Sequence, residues 1–291
     1  MCRRLVETGH RVHAYDLASE RLEAAARAGV VAEASATAVA ATADVLLTSL
    51  PRPDDVEAVM RGSAGALAAL AALRPGSLWI DLSTNRKELV QELAAAAPDG
   101  VGMVDAPVTG AVDGARSGHL TLFVGGHPDD VARSRPVLDP LGRVIDCGRL
   151  GNGTVVKLVT NQLWFIHAAA LGEGFAVGVE HGVDLAVLWA AITNSVADSF
   201  VAHHDAPSIF AGHYDPSFSL GLCLKDLGLT DELAAAVDAG LPMTDAAHAA
   251  FAAAAERYGP DAGELNVARR IEDDAGLSFR LPGEWTPPWE E

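Results

Sequence analysis

Cysteine is scarce and scattered in this chain. Its 291 residues include three, Cys2, Cys147 and Cys223. They are far apart and odd in number, which excludes a disulfide framework and zinc-ligand spacing and makes a reducing cytoplasm the expected compartment. Positive charge is also short: 21 Lys and Arg against 39 Asp and Glu leave a formal net charge of −18. Nucleic acids and anionic membranes want a basic face, so neither is expected as a partner. Any small anion must be held by local donors. Long apolar runs are missing too. Segments such as Asp44-Val-Leu-Leu-Thr-Ser-Leu50 fall far short of the ~20 residues that span a bilayer, and no basic-then-apolar leader is present. No His-x-x-x-His pair occurs. His203-His204-Asp205 and His213 offer no two ligands on one helix face, so no metal is expected. Ser83, Ser195 and Ser199 lack the glycine elbow and His/Asp partners of a nucleophile.

What is present fits a soluble globular protein, with 49% hydrophobic and 21% charged residues. The length suggests two domains. In the first half short apolar runs alternate with helical stretches. Strands are predicted at 10–16, 44–50, 77–81, 102–105, 119–124 and 143–147, and helices at 19–28, 35–43, 54–60, 85–97 and 128–138. Ser19 and Ser35 read as helix N-caps. Alternating β and α with continuous apolar strands predicts a largely parallel sheet covered on both faces. After Gly148 the strand signal stops. Residues 154–181 read as one helix about 42 Å long, with Gly182 as its stop. Further helices are expected at 185–195, 222–239, 243–258 and 265–273. The class is therefore α/β followed by all-α: residues 1–150, then 151–280, then a Pro- and Trp-bearing tail, 281–291, that cannot be helical.

The strand at 10–16 ends in Tyr15-Asp16. An acidic residue there suits the ribose hydroxyls of a dinucleotide and repels a 2′-phosphate, favouring NAD over NADP. An aspartate closing a strand is equally common at an ordinary turn. The glycine-rich turn that should precede it is missing. Met1 to Val12 reads as a first crossover helix already under way, and a strand plus Gly-x-Gly-x-x-Gly would need on the order of fifteen more residues. Either the coding sequence starts upstream or the cofactor site is crippled.

One lysine is out of place. Lys157 lies among Val155, Val156, Leu158 and Val159, in a helix apolar nearly all round, which reads as buried. Burial disfavours an ammonium and draws its pKa toward neutrality, as a proton-transfer group needs. Asn161 follows at i+4, on the same face. A lysine snorkelling from a helix end would fit these residues equally well.

Several motifs now occur in order. They are the Met1…Gly9-His10…Val12 spacing, Asp105-Ala-Pro-Val-Thr109-Gly110-Ala111…Gly114-Ala115…Gly118, Gly151-x-Gly153-x-x-x-Lys157-x-x-x-Asn161, and Leu224-Lys225-Asp226-Leu227. Together they resemble the β-hydroxyacid dehydrogenase family, of 3-hydroxyisobutyrate dehydrogenase type, from Met1 to about Ala275. The resemblance implies an oxidoreductase with a Rossmann-like domain and an all-α domain, the active site in the cleft between them, and homodimers or homotetramers built through the helices. It implies Lys157 as general acid–base, and Thr109, Gly110, Ala111 and Asn161 as substrate-binding. It implies cofactor contacts at Asp16, Leu50, Pro51, Thr84 and Lys225, with NAD preferred to NADP. The family pattern has Ser-Gly-Gly where this chain has Thr109-Gly110-Ala111, so Ala111 is strained if that position needs positive φ. Two rivals remain: an imine reductase, which shares the layout but typically lacks the lysine, and a non-catalytic oligomeric binding protein, motivated by the missing glycine turn. Glu173, polar within the long apolar helix, suits a partner helix better than chemistry.

Overall fold

The computed structural model describes residues 1–62, 76–283 and 285; the rest of the expected tail lies outside them. The chain divides into two compact units, Met1–Lys157 and Leu158–Glu291.

The first unit opens with helix α1 (Cys2–Glu7), then strand β1 (His13–Ala14), α2 (Ser19–Arg27), β2 (Val31–Ala32), α3 (Ala36–Thr42), β3 (Val45–Thr48), α4 (Pro53–Arg61) and β4 (Leu78–Asp81). It continues through α5 (Lys87–Ala95), β5 (Gly102–Asp105), β6 (Val108–Thr109), α6 (Ala111–Ser117), β7 (Leu120–Gly126), α7 (Pro128–Leu138) and β8 (Gly142–Gly148). Among the described residues six strands form one sheet, ordered β3-β4-β5-β7-β6 with β8 also on β7, while β1 and β2 pair in a sheet of their own. β3, β4 and β5 run parallel. β7 is antiparallel to β5 and β6 but parallel to β8.

The period-2 alternation of strand side chains builds two cores on opposite faces of this sheet. Leu78 and Ile80 of β4 pack with Val104, Leu122 and Leu138, whereas Trp79 between them joins Leu46, Met60, Leu93 and Met103. Both faces are covered, as continuous apolar strands require. The expected strand at 10–16 forms ladder pairs only at His13 and Ala14. The N-cap reading of Ser35 holds, its hydroxyl accepting from Ala38 N–H at 3.1 Å. Ser19 does not cap its helix. The cap position is Ala18, whose N–H bonds the Asp16 carboxylate at 2.8 Å.

In the second half α8 (Asn152–Glu180) is 29 residues long and crosses the division. It ends at Gly182 in a left-handed conformation, φ 80°, as a glycine stop should. It is not buried all round, because Val159, Leu163 and Val177 are exposed. Then come α9 (Leu185–Thr193), a π-helical turn (Val201–Asp205), α10 (Ala206–Ala211), α11 (Leu220–Ala235), α12 (Pro242–Tyr258) and α13 (Asn266–Ala275). Their core gathers Phe165, Phe175, Phe210, Phe251 and Phe279. Trp285, in the expected tail, packs on Trp189 and Phe210 at 5.9 and 5.4 Å. Among the described residues no helix is long and apolar enough to cross a membrane.

Candidate active site

Three side chains stand in register across the carboxyl ends of the parallel strands. Thr48, Asp81 and Asp105 are neighbours on β3, β4 and β5. Asp81 is buried, and its Oδ1 accepts from the Thr48 hydroxyl at 2.9 Å and from Ser83 N–H at 3.1 Å. Its Oδ2 accepts from Asn85 Nδ2 at 2.8 Å. The Ser83 hydroxyl in turn accepts from Leu50 N–H at 3.0 Å. One carboxylate thus knits the loop of Leu50 and Pro51 to the loop of Thr84. Burial holds the Asp81 carboxyl above its usual range, against the opposing pull of Asn85, Ser83 and Thr48.

Asp105, in register beside it on β5, bonds a different element. Its two oxygens accept from Gly151 N–H and Thr154 N–H, both at 2.7 Å, at the start of α8 where N–H groups have no intrahelical acceptor. Burial pushes its carboxyl up to about 6, while these two backbone donors pull it down. Lys157 lies one turn further along α8 and is only 7% exposed, so the expected burial is found. Its neighbour on that helix face, Asn161, is also buried.

Thr109, Gly110 and Ala111 link β6 to α6 and are exposed. Gly110 has φ 116° and Ala111 φ 51°. The alanine therefore occupies a backbone region that favours glycine, at a cost of about 1–2 kcal/mol. A short helix, α6, follows directly.

The structure gathers Leu50, Pro51 and Thr84 through the Asp81 network, and brings the start of the Lys157 helix to the same sheet edge. Thr109–Ala111 follow from the same strand as Asp105. Asp16 lies apart, just beyond β1 of the two-stranded sheet, between exposed Tyr15 and Leu17 in the chain. A carboxylate between apolar side chains fits an adenosine, whose ribose diol needs an acceptor and whose ring needs apolar cover. Its bond to Ala18 leaves room, since a carboxylate offers about four acceptor positions.

In the second unit Asn161 Nδ2 donates to Asp226 Oδ2 at 2.7 Å, and Lys225 Nζ stands 2.8 Å from Asp226 Oδ1. Asp226 therefore joins two predicted site residues. Sequence reasoning quoted it only as the neighbour of Lys225, and missed Asp81 and the capping role of Asp105 altogether. Buried acids ending apolar strands were the available signal. His203 and His204 each engage a different acid, Asp198 and Asp205, at 2.8 and 2.9 Å.

Comparison with known proteins covers nearly the whole chain. Residues 1–151 match the model for the NAD binding domain of 6-phosphogluconate dehydrogenase. Residues 151–271 match that for the NAD-binding domain of NADP-dependent 3-hydroxyisobutyrate dehydrogenase. A 3-hydroxyisobutyrate dehydrogenase of Pseudomonas aeruginosa is 34% identical over 94% of this chain and 95% of its own length. The structure of Mycobacterium tuberculosis 3-hydroxyisobutyrate dehydrogenase with L-serine superposes with TM-score 0.84 at 32% identity, covering 93% of this chain and 94% of that one. An imine reductase from Pseudomonas sp., at 17% identity and TM-score 0.55 over 93% of each chain, shares the fold alone.

Proposed function

The chain belongs to the β-hydroxyacid dehydrogenase family and is a nicotinamide-dependent hydroxyacid oxidoreductase, and on that premise we propose that Lys157 is its general acid–base. The observation that carries this reading is a buried lysine one turn into a helix whose first N–H groups are tied to the sheet edge bearing the candidate cofactor loops.

When bound, the nicotinamide supplies the hydride acceptor or donor. In oxidation the amine of Lys157 takes the proton of the substrate hydroxyl as a carbonyl forms. In reduction its ammonium returns that proton and stabilises the developing alkoxide. Thr109, Gly110 and Ala111 hold the substrate carboxylate with a hydroxyl and backbone N–H groups, a nest that binds an anion without a cation. Asn161, its amide oriented by Asp226, steers the substrate hydroxyl. Asp16, Leu50, Pro51, Thr84 and Lys225 hold the cofactor. Asp16 favours NAD over NADP by repelling a 2′-phosphate.

The substrate class is a small β-hydroxyacid or its semialdehyde, similar to 3-hydroxyisobutyrate or L-serine. Residues 1–150 form the dinucleotide-binding domain, which also carries the Thr109–Ala111 turn, and 151–280 form the all-α domain for substrate and assembly, which also lends Lys225 to the cofactor. A cytoplasmic homodimer or homotetramer is in keeping with free cysteines and with Val159, Leu163 and Val177 exposed on α8 beside Glu173. Lys157→Ala tests the reading: turnover should fall about 10²–10⁴-fold while NADH still binds in a fluorescence titration. Normal turnover in that variant refutes it. Parallel assays with NAD and NADP decide the cofactor.

A further inference from the structure

Asp105 ends β5 and opens the segment that leads to Thr109, Gly110 and Ala111. Its side chain meanwhile caps a helix that begins far along the sequence, through Gly151 and Thr154. Lys157 is three residues beyond Thr154, on the same side of α8. One residue therefore joins the strand that launches the candidate substrate turn to the helix that carries the candidate acid–base.

The surroundings are shaped for this approach. A Cβ on Gly125 would stand 2.5 Å from Asp105 Oδ1, and one on Gly153 would stand 2.9 Å from Oδ2. Gly151 has φ 90°, which a side chain would strain. Asp105 itself is 1% exposed. Asp81, its neighbour on β4, has its own partners at the end of β3 and in the loop after β4, Thr48, Ser83 and Asn85, so the two carboxylates hold different pieces of the unit.

We propose that Asp105 is a positioning residue for the reaction: by gripping Gly151 and Thr154 it fixes where the Lys157 amine stands with respect to the Thr109–Ala111 turn. This rests on the functional reading above. It separates two effects. Loss of the grip displaces the acid–base group and lowers kcat, and a displacement of about 1 Å is enough for about 100-fold. Cofactor affinity depends on loops that Asp81 holds and stays as it was.

The test is Asp105→Asn, which keeps the shape but turns an NH2 toward one of the two backbone donors. Thermal melting reports folding, NADH fluorescence reports cofactor affinity, and steady-state oxidation of 3-hydroxyisobutyrate and L-serine reports kcat and KM. The expected result is a folded variant with NADH affinity within about twofold of the parent and kcat down about 100-fold. A folded variant with undiminished kcat overturns the proposal, and so does one that has lost NADH affinity instead of kcat. Should Asp105→Asn fail to fold, Thr154→Pro removes one of the donors within the first turn of α8, where that N–H has no intrahelical acceptor. A fall of about tenfold in kcat supports the proposal there, and an unchanged kcat overturns it. Lys157→Ala is the control. Full turnover in Lys157→Ala sinks the functional reading and this proposal together. An inactive Lys157→Ala beside a fully active Asp105→Asn sinks this one alone.

Discussion

Asp81 and Asp105 stand side by side in register on parallel strands β4 and β5, yet their carboxylates serve different parts of the first unit. Asp81 draws together the loops after β3 and β4, and Asp105 secures the start of α8. Both are buried, and burial raises both carboxyls above their usual range.

The elevated Asp105 carboxyl makes stability depend on pH in a definite direction. Folding raises it from 3.8 to about 6, so between those values the native state holds more proton than the unfolded chain. Stability then falls as pH rises through that window and levels off above it. The contribution is on the order of 3 kcal/mol at ~1.4 kcal/mol per unit. Urea unfolding at pH 4, 5, 6 and 7 should show a steeper decline for the parent than for Asp105→Asn. Parallel curves would contradict the assignment.

Removing the Asp81 carboxylate should cost stability and cofactor binding together. Asp81→Ala strands Ser83 N–H and the Asn85 amide and leaves the Thr48 hydroxyl only its bond from Trp79 Nε1, and each buried donor left unpaired costs about 1–3 kcal/mol. Chemical denaturation should show a loss of several kcal/mol, and NADH titration a weaker Kd. A variant of parental stability would mean the network contributes little.

Ala111 is the one residue of the candidate substrate turn with visible backbone strain, at φ 51°. Ala111→Gly relieves about 1–2 kcal/mol of left-handed strain and gives back about 0.4–1 kcal/mol in unfolded-chain entropy. A net gain of up to about 1.5 kcal/mol is expected, seen as a higher melting temperature. Ala111→Val should melt lower, and the reverse order would refute the strain.

In the second unit Glu264 is buried with no hydrogen-bond partner at either carboxylate oxygen. Burial first, then Asp215 and Asp205, push its carboxyl well above the usual range. A group raised in this way stabilises least at high pH. Glu264→Gln should therefore exceed the parent in urea midpoint at pH 8, with the gap closing near pH 5. A less stable variant at pH 8 would show that the carboxylate is compensated.

Much of this was legible in the residues. The strand at 102–105 and the helix at 128–138 begin and end where the apolar periodicity places them, because each buries a continuous face. β2 and β6 escaped notice because a two-residue ladder leaves no periodic trace. Helix α6 was hidden between Gly110 and Gly118, both left-handed, where glycine spacing reads as a turn. The antiparallel insertion of β7 beside β5 is a tertiary choice that apolar runs do not encode. Lys157 and Asn161 stood out because polar groups in an apolar helix are costly. Asp81, Asp105 and Asp226 did not, since an acid at a strand end or beside a lysine is locally unremarkable and its partners lie tens of residues away.

The bonds from Asp105 to Gly151 and Thr154 bridge 46 and 49 residues of chain. Closing a loop of that size is entropically opposed until the intervening elements are in place. Under the role proposed for Lys157, its placement for proton transfer thus depends on contacts between segments distant in the chain. A chain lacking those contacts would carry the Lys157 amine without the placement that the proposed role requires.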